Sequence, residues 1–324
     1  MFLGIEIGGT KLQLGVGSGL GPPLVARLQQ AVPPRADAEW IRNEICRLAA
    51  FLLERYPVQA VGIGFGGPVE YESGSTIISH QVPGWERFPL RQWAQSQWGR
   101  PVMVANDADS AGLAEAIFGA GRGRKVVFYT NVGSGIGGAL VFEGRLFCGG
   151  SGVAAEIGHL RPGLQADSPD KDVESLASGW AIARGLREKL RDSNPETPEV
   201  ADLLARCGHR VEKLDTRTIA EAARNGNRLA QEAFEEACRV YGWAIAQMVT
   251  LIAPNVVVVG GGVSLAGEEV WFTPLRRYVD QYVFPQLRGR FEIVPAALGE
   301  EVVVHGAIAL AREANVSSGN SVNS

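Results

Sequence analysis

A chain of 324 residues is long enough for two domains at about 100–200 residues each. Hydrophobic residues make up 46% and charged residues 20%, so a large core can be buried, and the formal net charge of -4 argues against a binder that works by neutralising nucleic-acid phosphates. The outlier is glycine, with 41 residues against an ordinary usage of about 7%.

The four cysteines, Cys46, Cys148, Cys207 and Cys238, are scattered and form no CxxC pair. That signals neither a disulfide framework nor a thiolate zinc site. The N-terminus carries no charged segment followed by an apolar one, and no apolar run reaches the roughly 18 residues of a membrane span. A soluble protein of the reducing cytoplasm is expected.

Residues 2–7 (FLGIEI) are apolar and β-prone, 11–16 (KLQLGV) alternate, and 24–30 (LVARLQQ) is a third candidate strand. Helical spacing runs over 37–55, through Trp40, Ile41, Ile45, Leu48, Phe51 and Leu52. A buried strand over 58–65 ends in Gly66-Gly67-Pro68, a helix is predicted over 88–98, and a short strand over 101–105 runs into Asn106-Asp107. The plan then repeats. A strand over 125–132, the turn Gly133-Ser134-Gly135 and a strand over 137–142 precede helices over 174–190, 216–224 and 227–252. The valine-rich strand 255–259 meets Gly260-Gly261-Gly262 and a following helix, and a last helix is predicted over 300–314. The polar tail 315–324 is expected to be disordered.

GIEIGGTKLQLGV (4–16) and YTNVGSGIGGALV (129–141) are both strand, glycine turn, strand. That echo predicts two related α/β lobes facing a shared cleft. In Gly8-Gly9-Thr10-Lys11, missing Cβ atoms let backbone N–H groups approach a phosphate, while Thr10 and Lys11 add a hydroxyl and a charge. Glu6 could hold a Mg²⁺-bound water, although the same residues also suit an ordinary hairpin. Residues 133–138 match GxGxxG formally, but a dinucleotide fingerprint needs a helix next, and ALVFEGRLF reads as strand, turn, strand. The dinucleotide reading is rejected and a phosphate hairpin retained; no GK[ST] closes a Walker A loop. Gly260-Gly261-Gly262 suits either a close ring or phosphate, or tight strand–helix packing. Asp107 suits either a helix cap or a general base that takes a hydroxyl proton in phosphoryl transfer. Glu156 and His159 stand three apart around a glycine, with Glu174 15 residues beyond the His; the group suits sugar hydroxyls or a surface loop.

Taken together, IEIGGTK (5–11), GFGGPVE (64–70), NDADSAGLAE (106–115), NVGSGIGGALV (131–141), EIGH (156–159), ESLASG (174–179) and VVVVGGGVS (256–264) resemble the ROK family of repressors and sugar kinases. The resemblance spans residues 3–314. It implies an α/β fold of two actin-like ATPase (ribonuclease H-like) lobes around a central cleft: 1–105 plus 301–314 as the smaller lobe and 106–300 as the larger. It implies Asp107 as the base that deprotonates the sugar. Asn106, Glu156, His159 and Glu174 would hold sugar hydroxyls, helped by Gly66 and Gly67. Gly8, Gly9, Thr10 and Lys11, with Gly133, Ser134 and Gly135, would cradle the ATP phosphates; Gly261 and Gly262 would border the adenosine, and Glu6 would stand near Mg²⁺.

Two departures stand out. Position 6 is Glu where the family usually has Asp, and 160–173 (LRPGLQADSPDKDV) holds no cysteine where many members carry a zinc loop. No zinc is expected, and the loop must be stabilised by other means, with Pro162 and Pro169 as candidates. An ATP-dependent hexose kinase, with glucose the default sugar, is the leading expectation. A sugar-responsive repressor is disfavoured, because the first glycine hairpin begins at Gly8 and leaves no room for a helix-turn-helix domain. A non-catalytic sugar sensor is the alternative. A homodimer is expected, with no nucleic-acid or membrane partner.

Overall fold

In a computed structural model that describes residues 1–79 and 81–320, the chain forms two compact units. The first comprises Met1–Tyr129, Ala139–Ala155 and the chain from Ala296 onward; the second comprises Thr130–Gly138 and Glu156–Pro295. The units part the chain at other points than the expected borders at 105/106 and 300/301. The segment after 106 groups with the first unit because its helix packs against the C-terminal one, as described below.

The first unit opens with β1 (Phe2–Ile7), β2 (Lys11–Gly17) and β3 (Ala26–Ala31), followed by α1 (Ala38–Arg55) and β4 (Ala60–Phe65). After a small hairpin of β5 (Val69–Glu70) and β6 (Ser75–Thr76) come α2 (Leu90–Trp98), β7 (Val102–Asn106) and α3 (Asp107–Ile117). The sheet order is β3-β2-β1-β4-β7, with β1, β4 and β7 parallel and β2 and β3 antiparallel to their neighbours. Side chains alternate across a strand. Leu3, Ile5 and Ile7 enter one core with Ile41, Ile45, Leu48 and Leu52 of α1, whereas Phe2 joins a second core on the opposite face.

That opposite face is covered from far along the sequence. The strands β8 (Val126–Val132) and β9 (Ile136–Phe142) each have residues in both units, and in the first unit β9 is flanked by β10 (Arg145–Leu146). The second unit holds α4 (Val173–Ala177), α5 (Gly179–Arg191), α6 (Pro198–Arg206), α7 (Thr216–Arg224), α8 (Arg228–Ile252), β11 (Val256–Gly260), α9 (Thr273–Tyr282) and β12 (Glu292–Pro295). The chain then returns as α10 (Val302–Asn320), which covers the second face of the first sheet with Val304, Ile308 and Ala311. The sheet residues beneath α10 include Gly4 and Gly62. A Cβ at Gly62 would collide with the carbonyl of Ala307, so glycine is what allows the helix to lie so close. Gly306 does the same for α3: a Cβ there would strike the Ser110 carbonyl.

In the second unit β9, β8, β11 and β12 are successive neighbours, with β11 parallel to β12. All five residues of β11 are buried, which fits its continuous valine run. The 25-residue helix α8 buries Phe234, Cys238, Tyr241 and Ile245, and Tyr241 Oη lies 2.7 Å from Thr130 Oγ1 inside this core.

Three local expectations change. The helix predicted over 174–190 breaks at Ser178, whose extended backbone and side chain cap a new helix by accepting from Ala181 N. Gly260-Gly261-Gly262 is followed by a 3-10 turn (Gly262–Ala266) and not at once by an α-helix, because Gly261 takes a φ of 87°. The last helix runs past 314 to Asn320, and residues 321–324 of the predicted tail lie outside the described residues. No helix among the described residues is long and apolar enough to cross a membrane.

Candidate active site

In the first unit the strand register does the positioning. Ile7 pairs with Phe65, and Phe65 with Asn106, so the C-terminal ends of β1, β4 and β7 lie side by side. The turns that leave them, Gly8-Gly9-Thr10, Gly66-Gly67 and Asp107, therefore emerge at one sheet edge, the usual place for ligands in open α/β sheets. Gly8 N donates to Lys11 O at 3.1 Å and closes the first hairpin; Gly66 N donates to Ile7 O at 2.8 Å and ties the second turn to the first. A Cβ at Gly66 would sit 3.9 Å from Asp107 Oδ2, which puts the Gly66 turn and the carboxylate together.

The sequence left two roles open for Asp107. Asn106 is the N-cap of α3: its Oδ1 accepts from Asp109 N at 2.5 Å. Asp107 is then the first helical residue, exposed, with Oδ1 accepting from Ala108 N at 2.9 Å. Asn106 spends its oxygen on the cap, which leaves its amide nitrogen as the group that could donate to a ligand.

Glu6 lies in the same unit, one residue before the end of β1. Its Oε2 accepts from Gln13 Nε2 at 2.7 Å, and its Oε1 is 3.8 Å from Lys11 Nζ. Burial pushes the Glu6 carboxyl above the ordinary carboxylate range, against the opposing pull of Lys11 and the Gln13 hydrogen bond; the nearby Asp107 charge adds to the rise. Gln13 is fully buried, also donates to Glu300 O at 3.1 Å, and keeps its Oε1 buried with no hydrogen-bond partner among the described residues. An orphaned acceptor beside a partly compensated carboxylate fits the water shell of a hydrated Mg²⁺, which binds through few direct ligands and keeps its waters. Gln13 was not anticipated from sequence. The signal available was a polar residue at a buried position of an alternating strand.

The second unit holds the other predicted residues. The Gly133-Ser134-Gly135 hairpin is closed by Gly133 N donating to Gly135 O at 2.8 Å, and its Gly133 carbonyl accepts from Gly179 N, also at 2.8 Å. Ser134 stands exposed at the tip. Gly261 lies against β8, where a Cβ would fall 2.6 Å from Val132 N, while Gly262 has open space around it. Gly133, Ser134 and Gly262, but neither Gly135 nor Gly261, border a cavity of about 610 Å³ whose other walls include Trp180, Thr216, Arg217, Arg224 and Leu265. That volume suits a nucleoside, since ligand pockets run from about 300 to 1,000 Å³. Sequence reading missed those five wall residues. Trp180 had the one usable signal: it lies off the buried stripe of α5 (Ile182, Ala183, Leu186, Leu190) and is 76% exposed.

Glu156, His159 and Glu174 are also gathered here. Burial raises the Glu156 carboxyl; His159 opposes that rise and the Glu174 charge adds to it, so both lie within electrostatic reach of Glu156. His159 Nδ1 lies 3.1 Å from Asp172 Oδ2, and Asp172 Oδ1 accepts from Ser175 N as the cap of α4. The cysteine-free loop is thus closed by His159–Asp172, by Val173 N donating to Leu160 O at 2.9 Å, and by Lys171 Nζ bound to Asp167 at 2.7 Å. Pro169 begins a 3-10 turn in it. Among the described residues no group of three or more His, Cys, Asp or Glu could hold a metal ion.

The two glycine hairpins, each following a strand of an α/β unit, define the actin-like ATPase fold. The family model for the ROK family matches residues 2–314, and the chain belongs to that family. It is 31% identical over 320 residues to a glucokinase of Thermotoga maritima, covering 96% of this chain and 97% of that protein. The crystal structure of a ROK family glucokinase from Streptomyces griseus, in complex with glucose and AMPPNP, superposes with a TM-score of 0.81 at 32% identity, covering 96% of this chain and 99% of that one. A xylose repressor of Caldicellulosiruptor bescii is 27% identical over 253 residues, 78% of this chain and 62% of the repressor.

Proposed function

We propose that this chain is a cytoplasmic ATP-dependent sugar kinase that phosphorylates a hexose hydroxyl, with glucose the first candidate. The observation that carries the reading is Asp107: an exposed carboxylate on the first residue of α3, beside the Gly66 turn, with its neighbour Asn106 doing the capping. An exposed carboxylate at that position can accept a proton from a hydroxyl placed beside it. Phosphoryl transfer asks the protein mainly for positioning, charge stabilisation and a base. Asp107 would take the sugar hydroxyl proton, and Asn106 would donate from its amide nitrogen. Glu156, His159 and Glu174 would hold the other hydroxyls, with Asp172 fixing the His159 ring. Gly8, Gly9, Thr10 and Lys11, with Gly133, Ser134 and Gly135, would bind phosphates, and the cavity behind Gly262 would take the adenosine. Mg²⁺, held through water by Glu6 and Gln13, would offset phosphate charge. The names of the relatives support the reading, glucokinase at 31% and 32% identity over nearly the full length.

The test is ADP release with Mg-ATP across a panel of about a dozen hexoses and amino sugars. Sugar-dependent release for one or two members, lost by several decades in kcat in Asp107→Asn with sugar and ATP affinity kept, is expected, since base removal in phosphoryl and proton transfer costs about 10²–10⁴-fold or more. An Asp107→Asn variant that turns over near the parent rate overturns the base assignment. A blank panel with sugar binding still visible by thermal shift moves the protein to the sensor reading.

A further inference from the structure

Glu174 is assigned above to a sugar hydroxyl, yet its carboxylate is already engaged elsewhere. Its Oε2 accepts from the backbone N of Ile136 at 2.7 Å, the residue that ends the Gly133-Ser134-Gly135 hairpin and begins β9. The fit is close: a Cβ on Gly135 would collide with that same oxygen. The carbonyl of Ile136 is also closely packed. It lies where a Cβ of Gly158 would be, so the Glu156–His159 segment packs directly on it. One residue, Ile136, is thus held through its N–H and its carbonyl by the two segments that carry the sugar-side residues of this unit.

We infer that Glu174 is a positioning residue for the phosphate hairpin, and that through it sugar and nucleotide binding are energetically coupled. A carboxylate accepting from a backbone N–H makes a strong, charge-assisted hydrogen bond. A sugar hydroxyl that donates to the same carboxylate changes the strength and direction of that bond, and the hairpin answers. Linkage then requires the reverse effect, with nucleotide changing sugar affinity by the same factor. The consequence for sugar and nucleotide rests on the kinase reading; the hydrogen bond itself does not.

The experiment has two readouts on the free protein and on Glu174→Ala, Glu174→Asp and Glu174→Gln. The first is amide hydrogen exchange at Ile136 without any ligand. The second is AMPPNP affinity with and without the sugar that the panel selects. Loss of the acceptor in the Ala variant, and its withdrawal by one methylene in the Asp variant, should speed Ile136 exchange by about tenfold or more and weaken AMPPNP binding without sugar by about three- to tenfold. Gln retains an oxygen that can accept from Ile136 N, so it should keep exchange protection and AMPPNP affinity close to the parent while weakening the sugar. A residue that only ligates sugar would leave exchange at Ile136 and sugar-free AMPPNP affinity unchanged in all three variants, and that result overturns the inference. If the parent binds no AMPPNP, the kinase reading fails, while the exchange data still decide whether Glu174 holds the hairpin. The Asp variant keeps the test open should the Ala variant not fold.

Discussion

Glu6 shows what one buried carboxyl does to the fold that holds it. Its pKa is raised chiefly by burial, so folding disfavours its ionised form relative to the unfolded chain. A carboxyl raised on folding contributes stability that is present below its unfolded value, about 4.3, and is lost as pH rises through the folded value. At neutral pH Glu6 therefore weakens the metal-free protein relative to a neutral isostere. Glu6→Gln should raise the Tm in EDTA at pH 7.5 and lose most of that advantage at pH 4. An identical gap at both pH values would show that Glu6 is not the group concerned. Gln13 keeps the charge tolerable by donating to it, which is why a polar side chain is found fully buried in β2.

At the scale of elements, the glycine turns separate into two kinds. Gly261 is conformationally required: its φ of 87° disfavours any side chain, and a Cβ would press on Val132. Gly262, next to it, has no atom within 4 Å of a Cβ. Gly261→Ala should cost about 1–3 kcal/mol in urea unfolding, the usual cost of such backbone strain. Gly262→Ala should stay within about 0.5 kcal/mol. Equal effects would mean that the turn is held by something other than the Gly261 conformation. The sequence placed this turn correctly but called a helix after it, because a left-handed residue is invisible to hydrophobic periodicity. The same limit explains the helix predicted over 174–190: its apolar spacing carries through Ser178, and only the capping geometry divides α4 from α5.

Across the whole molecule, the first sheet depends on a helix almost 300 residues away in the sequence. α10 lies on β1 and β4 through Gly4 and Gly62, and on α3 through Gly306. Glu115, fully buried on α3, accepts from the backbone N–H groups of Ala297 and Leu298 at 2.8 Å each and so fixes the chain just ahead of α10. Overpacking at such a contact costs about 1–3 kcal/mol. Gly306→Val should therefore lower the thermal transition by several degrees, with Gly306→Ala between it and the parent. A Val variant that melts with the parent would show that α3 and α10 are not packed through this residue.

The sequence by itself determined the strands and turns that carry the chemistry. β1, β4, β7, β8 and β11 fall where apolar runs and glycine punctuation put them, since alternation, turn residues and caps act over a few neighbours. It also carried the ROK family membership, through motifs that are each contiguous. Only the tertiary structure decided what those motifs touch. Glu174 meets Ile136 across 38 positions, Gln13 meets Glu300 across 287, and Asp172 meets His159 in a loop that composition alone marked merely as lacking cysteine. Local spacing cannot report such pairs, because a side chain's partner is chosen by packing of elements that are distant in the chain, and that packing is set by where small residues let backbones approach.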